Sequence, residues 1–124
     1  MSDDEARSKR AFDLEERTAR FGESVIAFVR AIDKNAVTRP VVGQLIRSAT
    51  SVGANYCEAD EAESKRDFRH KIALCRKESH EVLHWLRMMS AAEPSARHQA
   101  RLLWQEAKEL NLIFGAILQG KKKQ

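Results

Sequence analysis

Residues 64–89 read SKRDFRHKIALCRKESHEVLHWLRMM, and the spacing of their apolar positions decides the architecture. Phe68, Ile72, Cys75, Ser79, Val82, Leu86 and Met89 recur at steps of four and three, which is one helical face turned toward a core. Ser64, with Asp67 three residues on, is a natural helix start, and the period holds to about residue 90. Pro94 and Ser95 then interrupt it.

The same rhythm appears on both sides of this run. Upstream, Asp13 opens "DLEE" with Glu16 three residues on, and Leu14, Thr18, Phe21, Val25, Phe28 and Ile32 follow as a stripe ending near Asp33. After "DKNAVTRP", Thr38 is the expected N-cap of a second helix that tolerates Pro40 in its first turn. Its stripe is Leu45, Ala49, Val52, Tyr56 and Ala59. Downstream, Leu103, Ala107, Leu110, Phe114 and Ile117 mark a fourth helix that stops at Gly120. Four helices of similar length on short connections predict an all-α, antiparallel up-down four-helix bundle over residues 13–119. Residues 1–12 are expected to form a mobile N-terminal segment and residues 120–124 a mobile basic tail.

Composition agrees with this class. The 124 residues are 43% hydrophobic and 32% charged, with only 5 Gly and 2 Pro, which suits one helical domain rather than a disordered or fibrous chain. No apolar run approaches the roughly 18 residues of a membrane span, and "MSDDEARSKR" has no signal-like core behind it. A cytoplasmic protein with no membrane partner is expected. Cys57 and Cys75 form no C-x-x-C pair, so both are expected to be reduced thiols. The net charge of +4 favours an acidic partner.

Residues 80–84, "HEVLH", match the H-E-x-x-H zinc protease motif, with His80 and His84 as ligands and Glu81 as base. A turn of about 100° per residue from the apolar stripe puts both histidines on the far side of the helix, facing water. A zinc-dependent hydrolase using His80, Glu81 and His84 is therefore the alternative, and no enzymatic activity, cofactor or metal is expected. Glu81 and His84 also form a single Glu-x-x-His pair, half of what a di-iron bundle requires.

Two helices carry a second seam. Ser48, Ser51, Asn55 and Glu58 run beside the apolar stripe of the second helix, and Leu74, Glu78, Glu81, Trp85 and Met88 beside that of the third. The expected arrangement is a partly buried network in which Arg47, Ser51 and Asn55 satisfy Glu58, Glu78 or Glu81, while Trp85 and Met88 contribute to a homo-oligomer interface.

These stretches carry a resemblance. "QLIRSATSVGANYCEA" and "RKESHEVLHWLRMM" resemble the Arg-Ser-x-x-Ser-x-x-x-Asn-x-x-Glu-Ala and Lys-Glu-x-x-Glu-x-x-x-Trp-Leu patterns of a four-helix-bundle family. That family was first described as proteins encoded by intervening sequences within bacterial 23S ribosomal RNA genes. The likeness runs from about Asp13 to Leu118, and the patterns fall on Arg47, Ser48, Ser51, Asn55, Glu58, Lys77, Glu78, Glu81, Trp85 and Leu86. It leaves His80 and His84 at open positions. The resemblance implies a bundle that assembles into a ring, pentameric in relatives, without known catalytic activity. The accessory protein of diversity-generating retroelements looks similar too and implies a basic assembly that binds nucleic acid and a reverse transcriptase.

The basic residues cluster. Lys65, Arg66, Arg69, Lys71, Arg76 and Lys77 crowd the first half of the third helix, Arg97 and Arg101 open the fourth, and Lys121, Lys122 and Lys123 end the chain. Lys65, Arg66, Arg69, Arg76, Lys77, Arg97 and Arg101 are the expected nucleic-acid contacts, directed at the phosphate backbone of RNA or DNA. Trp85 and Trp104 are expected to pack, so no base stacking is foreseen. A scaffold that binds only a protein partner is the competing expectation. So is a merely solvated charged surface, because Glu61, Glu63, Asp67 and Glu78 lie near the basic residues in the chain.

Overall fold

Four helices follow one another in the computed structural model: α1 (Asp3–Arg30), α2 (Thr38–Asp60), α3 (Lys65–Ala92) and α4 (Arg97–Leu118), the last preceded by a 3-10 turn at Pro94–Ala96. The structure describes residues 2–120, with side chains left aside at 3, 4 and 6–12; Lys121, Lys122 and Lys123 lie outside the described residues. Each helix packs on its chain neighbours and α4 closes on α1, leaving α1 opposite α3 and α2 opposite α4. Cross-contacts show the antiparallel sense. Arg47 faces Glu78 and Glu81 while the later Glu58 faces the earlier Lys71. This is the up-down bundle that the periodicity predicts.

The stripes form the core. Leu14, Thr18, Phe21, Val25, Phe28 and Ile32 of the first stripe are all buried, as are Leu45, Ala49, Val52, Tyr56 and Ala59. On α3 the buried set includes Ile72, Cys75, Ser79, Val82, Leu86 and Met89, and on α4 Leu103, Ala107, Leu110 and Phe114. Thr18 and Ser79 are the polar members of these stripes, and each spends its hydroxyl on a carbonyl of its own helix. That removes the cost of burying them.

Two helix starts differ from expectation. α1 begins at Asp3, where Ser2 and Glu5 form a reciprocal capping box, not at Asp13. Residues 3–12 contain no Gly or Pro and several strong helix formers, so nothing stops the helix from extending back to that box. Thr38 is the first residue of α2 rather than its cap. Asn35 does the capping, its Oδ1 accepting from the Val37 and Thr38 amides. The buried Thr38 hydroxyl instead closes the α1–α2 loop, donating to the Asp33 carbonyl and accepting from the Asn35 amide. Ser64 caps α3 as predicted, through the Asp67 amide. Gly120, at φ 66°, ends α4 in the left-handed region that suits glycine.

Candidate functional site

Asn111 ties α4 to α3. Its Nδ2 donates to the Arg76 carbonyl at 2.8 Å and to the Ser79 hydroxyl at 3.2 Å. One turn on, the Arg76 guanidinium lies over Gly115, its Nε and Cζ 3.7 Å from where a Cβ would stand. With this register known, a step of about 100° per residue from each buried stripe places the outward side chains. The α3 flank beside α4 carries Lys65, Arg69, Arg76 and Arg87, with Arg66 and Lys77 on the outward side of α3, and the matching α4 flank carries Arg97, Arg101 and Lys108. All are exposed. None has an ion pair among the described residues.

The carboxylates of these helices face other seams. Glu78 and Glu81 turn toward α2, where Arg47 reaches them at 3.3 Å and 2.6 Å. Glu106 and Glu109 turn toward α1, where Arg17 meets Glu106 through Nε at 2.7 Å and Nη2 at 2.8 Å, and Glu109 at 2.8 Å. The Glu106 hydrogen bonds, more than those of Glu109, hold the guanidinium pKa above its ordinary value. Asp67 lies on the α2 side as well, close enough to Lys71 to raise its pKa, though the Glu58 hydrogen bond contributes most. The result is a sorted surface: acids and their partners on the α1–α4 and α2–α3 seams, unpaired cations on the α3–α4 seam.

The seven predicted contacts are therefore on the surface but not in one compact patch. Lys65, Arg66, Arg69, Arg76 and Lys77 follow α3, whereas the antiparallel course of α4 carries Arg97 and Arg101 to the far end of α3, ~35–40 Å from Lys65. Arg87 and Lys108 link the two groups. Chain proximity had concealed both, because each stands alone among apolar or acidic neighbours in the sequence. Trp104 also differs from expectation: Trp85 packs against the core, but Trp104 is 39% exposed on this face.

The polar seam is simpler than predicted. Arg47 alone joins Glu78 and Glu81; Glu58 pairs with Lys71 at 2.5 Å. Ser51 and Asn55 do not reach the carboxylates. Ser51 Oγ donates to the Arg47 carbonyl at 2.7 Å and Asn55 Nδ2 to the Ser51 carbonyl at 2.9 Å. Short side chains inside a helix find the carbonyl one turn back before they can span to a neighbour. Leu74, Trp85 and Met88 are half-buried along this seam, beside the Arg47 cluster.

Residues 10–116 match the profile of the 23S rRNA-intervening sequence protein family. The chain belongs to that family. A crystal structure of a protein with unknown function from the S23 ribosomal protein family of Bacteroides thetaiotaomicron is similar to it. The two are 24% identical, with a TM-score of 0.75 over 88% of this chain and 97% of that one, a likeness of fold. No curated protein sequence is significantly similar to the chain.

In this member of the 23S rRNA-intervening sequence family, "HEVLH" is divided between two faces of α3. His80 and His84 are exposed, and His84 rests edge-on against Trp85 with ring centroids 4.8 Å apart. Glu81 points the other way, engaged by Arg47. No group of three or more His, Cys, Asp or Glu is placed to hold a metal among the described residues. Nor is any described helix long and apolar enough to cross a membrane.

The two thiols are unlike each other. Cys57 is exposed on a groove between α1 and α2, whereas Cys75 is buried, with Sγ 3.6 Å from the Val52 carbonyl. Burial pushes the Cys75 thiol up to about 12. A thiol reagent that reacts with thiolate should therefore label Cys57 alone in native protein at neutral pH, with Cys75 labelling only on unfolding. Labelling of both at similar rates, read by intact mass, would mean that the α2–α3 core opens readily.

Proposed function

We propose that the protein is a non-enzymatic, oligomeric scaffold that binds the phosphate backbone of RNA or DNA through its α3–α4 face. The observation that carries this reading is the sorting of charge. A net charge of only +4 would be a weak attractant if evenly spread. Gathering unpaired cations along one face, with the carboxylates of both helices turned to other seams, creates a local field much stronger than the total suggests. Contacts of this kind read phosphate rather than sequence.

Assembly multiplies the effect. The half-buried Leu74, Trp85 and Met88 beside Arg47 make the outer α2–α3 surface the favoured contact between copies, since aromatic and Met side chains are enriched in such interfaces. A ring, pentameric by resemblance, would present the cationic face once per subunit and raise avidity without raising charge per chain.

Anisotropy titration of structured RNA and duplex DNA across about 50–200 mM salt tests the reading. If each bound face neutralises about six phosphates, affinity should fall roughly 10³-fold over that range. Absence of binding at the lowest salt would reject it and leave a scaffold that binds only protein.

A further inference from the structure

Trp104 stands among cations with its ring unengaged. Among the described residues the indole makes no aromatic contact and its N–H no hydrogen bond. Arg101, three residues before, and Lys108, one turn after, share its strip of α4. By the register at Asn111 and Arg76, the indole lies level with Leu83 and Arg87 of α3.

The geometry points to Trp104 as a stacking platform for an unpaired base, which makes single-stranded nucleic acid the ligand class of this face. The inference rests on the phosphate-binding reading and narrows it. An apolar protein surface docking on the indole would have to desolvate Arg87, Arg101 and Lys108 without compensation. A single-stranded nucleotide brings a flat π-surface and an anion within one residue's reach of each other, the same pairing that aromatic side chains flanked by cations offer. In a duplex the base faces are already stacked, and the indole would have nothing to cover.

The test compares a mixed-sequence single strand of about 12 nucleotides with the blunt duplex of that sequence, at one low salt concentration. Trp104→Ala should weaken single-strand binding on the order of tenfold and change duplex binding by less than about twofold. Trp104→Phe, which keeps a ring, should retain most of the affinity. In Trp85→Phe protein, where Trp104 is the only indole, the single strand should quench the emission and the duplex should not. Equal losses on both ligands, or no loss with binding intact, overturn the stacking role while leaving phosphate binding in place. No salt-dependent binding of either ligand overturns both. A change of assembly mass in both Trp104 variants, by light scattering, overturns the stacking role in favour of a contact between copies.

Discussion

Phe114→Ala should cost about 3–5 kcal/mol of folding stability, the largest loss expected from a single truncation in this bundle. Phe114 is fully buried, and its ring meets Tyr56 of α2 with centroids 6.5 Å apart. Since α2 and α4 sit on a diagonal, this pair spans the centre of the core and joins helices whose backbones are not neighbours. Removing the ring leaves a cavity that helices on every side must either tolerate or collapse into. Against a typical total of about 5–15 kcal/mol, such a loss would bring the bundle close to unfolding at room temperature. Urea titration should show a lower midpoint at unchanged slope. Leu112→Ala, about 200° around the helix from Phe114 and 60% exposed, should change stability by no more than about 0.5 kcal/mol. Equal effects at 112 and 114 would mean that the face of α4 has been assigned wrongly.

That face was legible because a helix has one period and a core has one inside. Each stripe residue from Leu14 to Ile32 is buried for the same reason that it could be picked out, namely steps of four and three. Where interaction depended on reach rather than direction, the pattern was insufficient. A wheel puts Ser51 and Asn55 near the α2–α3 seam, but not whether their short side chains cross it, and they bond backward instead. The Arg17–Glu106 pair joins residues 89 apart, and no local spacing announces it. The charged face was hidden by the same difficulty. Along the chain Glu78 sits beside Lys77, as though the two cancelled, yet adjacent residues in a helix point about 100° apart. Glu78 turns to α2 and Lys77 to solvent.

This division between chain proximity and spatial proximity makes charge reversal the decisive experiment on function. Arg69→Glu with Arg76→Glu places two carboxylates on the α3–α4 face, where neither native side chain has an ion pair to lose among the described residues. Stability should change little, since exposed substitutions of this kind fall within about 0.5 kcal/mol. Nucleic-acid affinity near 100 mM salt should drop on the order of 100-fold, and the slope against log salt should become shallower by about 2, as two phosphate contacts disappear. Arg30→Glu with Arg39→Glu is the matched control. Both residues are exposed near the α1–α2 loop, away from this face, and no ion pair engages them among the described residues. Either double variant takes the net charge from +4 to 0, because each Arg→Glu change removes two charges. If total charge governs binding, the pairs will weaken it equally. If the sorted face governs it, only the α3 pair will show the large loss and the shallower salt dependence, and the control will stay within severalfold of the parent protein. Equal losses would reduce the α3–α4 face to a solvated surface.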